Sequence, residues 1–375
     1  MKIIRSLLAL MLCAACFCSL AVCAFAEEQP QLIDPEELEQ ITRDFIADNG
    51  LNEERFSVGY CYTATGDTWY FNEDRWYYSA STYKVPLMML LAELEAKGEI
   101  TRETPIKNLP LGEAEKLILT YSHNDYAHLM MSYFGTEPEC RDLYKQYSDL
   151  PDDYYVPNFR EYSYFTAHFL TDVVKTLYYE NERFPNIVES LLPAQPGEYF
   201  KYAIKDYDVA QKYGALKEYN HTTGIVYTPN PFVLTVMTEY CSAPNGVIGS
   251  YAKLMEEYTL KLDEKLDEYN KQLEELKKAE EEAAKQEELK KQQEMAAAQK
   301  AEEALKAEEE KIRLEAEAAA EAALEAAMAQ EAENEKKDAG TILVVAAALM
   351  FALVIVVFAR AAKKKAAKNT YIPRH

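Results

Sequence analysis

Three short groups of residues carry the types and spacing from which acyl-transfer chemistry can be built. They are Ser81-Thr82-Tyr83-Lys84, Ser122-His123-Asn124 and Lys212-Tyr213-Gly214, in that order along the chain. On a helix, residues three apart share a face, so the Lys84 amine can reach the Ser81 hydroxyl. A serine hydroxyl is a poor nucleophile unless a base stands beside it. Lys84 serves as that base only if its pKa falls, and burial or a second cation at Lys212 would lower it. An amide at a helix N-terminus, as at Ser81, favours developing negative charge. Gly214, on a strand, leaves room for an acyl group against the strand edge. Pro86 is tolerated because first-turn positions lack an intrahelical partner. A second serine-lysine pair, Ser250 and Lys253, has no strand before it and is read as chance.

The elements that must position these groups are legible around them. Asp34-Pro35-Glu36-Glu37 opens a helix with an N-cap aspartate, a first-position proline and first-turn acids. Residues 56–63 alternate as a strand, Gly66-Asp67 turns, and 68–71 returns, predicting a hairpin. Helical patterns follow over 85–96, 112–120, 125–134 and 166–179. Three late strands are expected over 207–213, 223–227 and 232–240, the last two separated by Pro229-Asn230-Pro231. Two strands, a helical middle and three strands predict an α+β fold. Its five-stranded antiparallel sheet would be flanked by helices and interrupted by an all-α subdomain over about residues 85–200.

With the three groups in order on these elements, the sequence resembles the serine β-lactamase and penicillin-binding family, whose signature set is S-x-x-K, S-D-N and K-T-G. The segment from Tyr78 to Leu87 is similar to the nucleophile segment of class A β-lactamases, and Gly224-Ile225-Val226-Tyr227 to their following strand. The likeness covers residues 35–258. It implies a serine hydrolase working through an acyl-enzyme on a β-lactam or a D-Ala-type peptide of the cell wall. By the same resemblance, Ser81 is the nucleophile and Lys84 its base. Ser122 relays a proton to the leaving nitrogen, and Asn124 holds the substrate amide and orients Lys84. Lys212 attracts the substrate carboxylate, while the amides of Ser81 and Ala215, next to Gly214, form the oxyanion site.

Three positions depart from the family pattern. Tyr213 replaces the threonine or serine whose hydroxyl helps bind the substrate carboxylate. His123 replaces the aspartate of the second motif, where a packed surface histidine is expected. The glutamate that activates the deacylating water in class A enzymes has no legible counterpart. Asp152, Asp153 and Glu161 are the only acids in the corresponding loop, and the family's spacing from Thr166 falls near Asp152. Acylation of Ser81 with slow release is therefore expected. A D,D-peptidase or esterase-like penicillin-binding relative is the second reading, and a wall-binding module that keeps the fold without the chemistry is the third.

The two ends suggest where the domain works. Lys2 and Arg5, an apolar stretch and Ala24-Phe25-Ala26 read as a signal peptide over 1–26. Alternatively, Leu20-Ala21-Val22-Cys23 would make Cys23 a lipidation site. Residues 341–359 are apolar without a charge or proline, long enough to cross a bilayer, and a basic tail over 360–375 follows. Between them, 259–338 is rich in Ala, Glu and Lys and reads as a helical stalk. Leu262, Leu266, Tyr269, Leu273 and Leu276 give it a short heptad seam for self-association. The expected layout is a single-pass membrane protein with its domain, over 30–258, outside and its C-terminus in the cytoplasm.

Composition removes other classes. A net charge of −23 with no clustered basic surface argues against nucleic acid. The five histidines form no H-E-x-x-H, the cysteines offer no paired ligand spacing, and no phosphate-cradling glycine loop is present. No metal or other cofactor is expected. Of seven cysteines, only Cys61, Cys140 and Cys241 would follow the signal, too few and too widely spaced for a disulfide framework, so at least two are read as buried apolar residues.

Overall fold

A computed structural model of the chain describes residues 30–194 and 197–334. Contacts divide the chain into two units, the first ending at Glu275 and the second beginning at Leu276.

The first unit is organised by a five-stranded antiparallel sheet of order β2-β1-β9-β8-β7. Its strands are β1 (Phe56–Tyr62), β2 (Thr68–Phe71), β7 (Val209–Leu216), β8 (Tyr219–Val226) and β9 (Phe232–Glu239). The whole of β1 is buried because both faces of the sheet are covered. Alternate residues Phe56, Val58, Tyr60 and Tyr62 enter the core built with helices α1 (Pro35–Asp48) and α10 (Pro244–Asn334). The other face meets α7 (Ala167–Tyr179) so closely that a Cβ on Gly59 would lie 2.1 Å from Thr171 Oγ1. As expected, Asp34 caps α1 by accepting from the Glu36 and Glu37 amides at 3.0 and 3.1 Å.

The chain between the two halves of the sheet is mainly helical. It holds α2 (Lys84–Ala96), α3 (Leu111–Thr120), α4 (Asn124–Met131), α5 (Glu137–Tyr144), α6 (Pro157–Tyr162), α7, α8 (Ile187–Leu191) and α9 (Phe200–Ala203). Its apolar side chains share one core around α2, whose residues from Val85 to Ala92 are all buried. Two small ribbons were not expected. One pairs β4 (Pro105–Ile106) with β5 (Leu109–Pro110), and the other pairs β3 (Tyr77–Tyr78) with β6 (Tyr164–Phe165). Helices α5, α6, α8 and α9 were also not anticipated, since each is too short to show periodicity.

Two boundaries differ from expectation. Strand β7 runs past Tyr213 to Leu216 and β8 begins at Tyr219, because the turn between them is a two-residue hairpin loop. Lys217 takes the positive φ of 52° usually given to glycine or asparagine, so no turn signal marks it in the sequence. The folded unit also continues beyond residue 258. Ile248, Tyr251, Ala252, Met255, Tyr258 and Leu262 form one buried stripe of α10, and Leu266 packs against the same core. Thr259 bonds Tyr60 at 2.8 Å, and Tyr62 donates to Asp263 at 2.7 Å. Two leucines of the expected self-association seam therefore serve the domain's own core.

In the second unit α10 continues to Asn334. Glu281–Lys285, Glu287–Lys291 and Glu302–Lys306 pair at 2.6–2.7 Å. Glu placed four residues before Lys supports a solvated helix. Leu276, Leu289, Leu305 and Leu324 are exposed. Among the described residues no helix is long and apolar enough to cross a membrane. The expected signal peptide over 1–26, the apolar run 341–359 and the basic tail 360–375 lie outside the described residues.

Candidate active site

The approach to Ser81 is held by its neighbours before its own chemistry begins. The Ser79 amide donates to the Ser163 carbonyl at 2.9 Å, and the two hydroxyls lie 2.8 Å apart in a buried pair. Ser163 achieves this from a left-handed backbone, φ 58°, at the end of α6. Thr82 closes the turn by donating from its amide and its hydroxyl to the Ser79 carbonyl, at 3.0 and 2.7 Å. Residues Ala80–Tyr83 form a 3-10 turn that runs directly into α2. Ser81 is only half-buried, whereas Lys84 is fully buried.

Beneath this turn, His221 of β8 anchors the strand that leads to Ser81. Its Nδ1 accepts the Thr238 amide at 3.2 Å, which leaves Nε2–H to donate to the Tyr78 carbonyl at 2.9 Å. The ring lies between Tyr77 and Tyr219. Burial lowers its pKa from the ordinary 6.5 to about 4. The folded protein thus resists a proton that the unfolded chain accepts, so stability falls as pH drops from about 6.5 to about 4. About 3 kcal/mol is expected to be lost over that window, and urea midpoints in His221→Gln should lack this component of the pH dependence.

The three sequence groups converge on one cluster. The Lys84 amine lies 3.0 Å from Ser81 Oγ, 3.1 Å from Ser122 Oγ, 2.8 Å from the Ser122 carbonyl and 2.6 Å from Asn124 Oδ1. Ser122 presents its oxygens from a left-handed backbone, φ 60°, just before α4 begins at Asn124. From the other side, Lys212 Nζ donates to Ser122 Oγ at 3.1 Å and to the Tyr213 carbonyl at 2.7 Å. Ser122 therefore stands between two amines. Burial lowers the Lys84 pKa to about 8. It also holds Lys212 well below the ordinary lysine value, with the Lys84 charge adding to the effect. The expected lowering of Lys84 by a second cation is thus found on Lys212; for Lys84, burial is the cause.

Gly214 explains how β7 reaches the Ser81 turn. A Cβ there would lie 2.9 Å from both the Ser79 carbonyl oxygen and the Ser81 amide nitrogen. Only a glycine lets the strand pass at this distance, and Ala215, the residue that follows it on the edge strand, is exposed. Tyr213 is half-buried, stacked on Tyr199 with ring centroids 5.4 Å apart. His123 is half-buried with its ring 4.9 Å from Tyr126, the packing role expected of it. Cys61 and Cys140 are buried and, with Cys241, free.

The three acids named as deacylation candidates are not brought to this cluster. Asp152 and Asp153 sit exposed on a 3-10 turn, and Glu161 is exposed beside Arg160 at 3.4 Å. The reason is apolar: Phe159 and Phe165 of this segment are buried in the helical core, with Tyr155 packed against it, which turns the acids to solvent. What the segment supplies to the site is Ser163. Burial is the cause of the lowered Lys84 pKa, and among the described residues the bonds of its amine go to Ser81, Ser122 and Asn124 and to no carboxylate.

This arrangement can be compared with known proteins. A family model described as the beta-lactamase enzyme family matches residues 37–133 and 157–258, just over half of the chain. The chain belongs to the beta-lactamase enzyme family. No curated protein matches it. Among solved structures, PBP-A is similar over 60% of this chain and 97% of its own, with 12% identity and a TM-score of 0.51. A variant of PBP-A has been solved as an acyl-enzyme complex with penicillin G. An ancestral class A β-lactamase is similar over 61% of this chain and 100% of its own, with 17% identity and a TM-score of 0.50. A β-lactamase from Xanthomonas campestris pv. campestris covers 58% of this chain and 96% of its own, at 15% identity and a TM-score of 0.50. At these identities the likeness is one of fold. In this family member, sequence reasoning missed Ser79, Ser163, His221 and Tyr199. Each acts by packing or by binding backbone, which leaves no motif.

Proposed function

We propose that this family member is a serine acyl-transfer enzyme that forms an ester at Ser81 and releases it slowly, as a penicillin-binding protein would. The observation that carries this reading is the buried Lys84 amine, 3.0 Å from Ser81 Oγ and, among the described residues, bonded to no carboxylate. In its neutral form the amine takes the Ser81 proton while Oγ attacks the carbonyl carbon of a β-lactam or D-Ala-type amide. The negative oxygen is met by the amides of Ser81 and Ala215. The carbon–nitrogen bond breaks, and Ser122 Oγ–H protonates the departing nitrogen. Ser122 then recovers a proton from the protonated Lys84, which restores the amine. Release requires water to attack the ester, with Lys84 the base that the described residues place in contact with Ser81. The water proton passes to Lys84, and Ser81 Oγ regains a proton as the ester bond breaks.

The sequence reading of a signal peptide, stalk and apolar run places this chemistry outside a cytoplasmic membrane, on a tethered domain. Peptidoglycan peptides and β-lactams are the acyl donors found there that suit the site.

The test is to incubate the protein with a fluorescent penicillin at saturating concentration and follow the covalent label. Label on the wild type, absent in Ser81→Ala, is expected, with loss over minutes or longer. Rapid loss with steady-state turnover on the order of hundreds per second would instead make the protein an efficient β-lactamase. Absence of label in the folded wild type would leave a wall-binding module.

A further inference from the structure

The substrate-carboxylate role of Lys212 meets an obstacle in the structure. Lys212 is fully buried, and an ammonium has three N–H donors. One is directed to Ser122 Oγ and one to the Tyr213 carbonyl. The nitrogen also sits over the Tyr213 ring, 4.2 Å from its centroid, in a cation–π arrangement. The Tyr213 ring therefore lies directly against the Lys212 amine.

That ring is itself held. Tyr199 stacks on it with an interplanar angle of 13°, and Tyr199 is 5% exposed. Tyr199 keeps this place in a left-handed backbone conformation, φ 60° and ψ −120°, which bulky residues rarely adopt. Glu198 precedes it, and its negative charge acts on both phenols. Its carboxylate is retained on Asn245 at 2.5 Å. A substrate tail entering beside Tyr213 would meet an aromatic ring against the Lys212 amine, with the negative charge of Glu198 acting on that ring's phenol.

We infer that the Tyr199–Tyr213 stack closes the carboxylate subsite over Lys212, making the site selective for acyl donors with an uncharged tail, ester- or amide-capped, over donors ending in a free carboxylate. Lys212 is left to polarise Ser122. The inference rests on the acyl-enzyme reading and deepens it by naming the substrate class.

The experiment compares acylation by benzylpenicillin with acylation by its methyl ester, read as mass added to the intact protein. The wild type is expected to react with the ester at least as fast as with the acid. Tyr213→Thr, which uncovers Lys212 and restores a hydroxyl, should move the acid-to-ester rate ratio about tenfold to a hundredfold toward the acid. Tyr213→Phe, which keeps the ring, should leave that ratio where it is. Tyr199→Leu removes the stacking partner and should move the ratio in the same direction as Tyr213→Thr, so a misfolded threonine variant does not end the test. A tenfold wild-type preference for the acid, or a ratio unmoved in folded Tyr213→Thr and Tyr199→Leu, overturns the inference while leaving the acyl-enzyme intact. Failure of both compounds to modify any folded form overturns the acyl-enzyme reading and this inference with it.

Discussion

Lys84→Met is expected to slow acylation of Ser81 by about a hundredfold to ten-thousandfold, the usual contribution of a positioned base. The methionine nearly matches the lysine in volume, so the helical core around α2 is preserved while the proton acceptor is lost. Lys84→Arg makes the argument sharper. It keeps a cation against Asn124 and Ser122 but cannot lose its proton, so a base role predicts a comparable loss and a purely structural cation predicts recovery. The wild-type pH profile carries the same information. Burial sets the Lys84 pKa near 8. Below that value the amine is protonated and cannot accept, so single-turnover acylation should fall about tenfold per pH unit well below 8 and level off above it. A flat profile between about pH 6 and pH 9 would remove Lys84 from the mechanism.

Gly214→Ala should be nearly as damaging, by a different route. The added methyl meets backbone on both sides, the Ser79 carbonyl and the Ser81 amide, each at 2.9 Å. Backbone cannot swing aside as a side-chain tip can, so either β7 or the Ser81 turn must move by several tenths of an ångström. A displacement approaching 1 Å costs about a hundredfold in rate, and the crowding about 1–3 kcal/mol in stability. Gly246→Ala provides the contrast. It lies on α10 with open space around the added atom, and is expected to be neutral or stabilising by about 0.5–1 kcal/mol. Equal acylation rates in Gly214→Ala and the wild type would show that the strand does not constrain the turn.

Much of the fold could be read from local pattern. The hairpin of β1 and β2, the capped start of α1 and the helices α2, α3, α4 and α7 each carry their signal within a few residues. The charged groups of the site were legible for a related reason. A serine and a lysine three apart at the start of an apolar helix declare their contact through helix geometry alone.

The loop acids show where this kind of inference stops. Spacing pointed to the neighbourhood of Asp152, but the direction of a side chain in a loop is set by which neighbours the core accepts. Phe159 and Phe165 are taken inside, so Asp152, Asp153 and Glu161 face water. The heptad seam on α10 carries the same ambiguity, since Leu262 and Leu266 would suit either a partner helix or the domain's own core, and packing gives these two to the core.

By itself the sequence determined the family, the pairing of Ser81 with Lys84 and the order of elements, because these rest on short-range spacing and on periodicity. Only the tertiary structure decided that Lys84 is buried with, among the described residues, no acid bonded to it, that Lys212 lies against Tyr213, itself stacked on Tyr199, and that Ser163 and His221 hold the backbone before Ser81. Burial and the meeting of residues distant in sequence are properties of packing, and packing brings together groups whose spacing along the chain carries no sign of it.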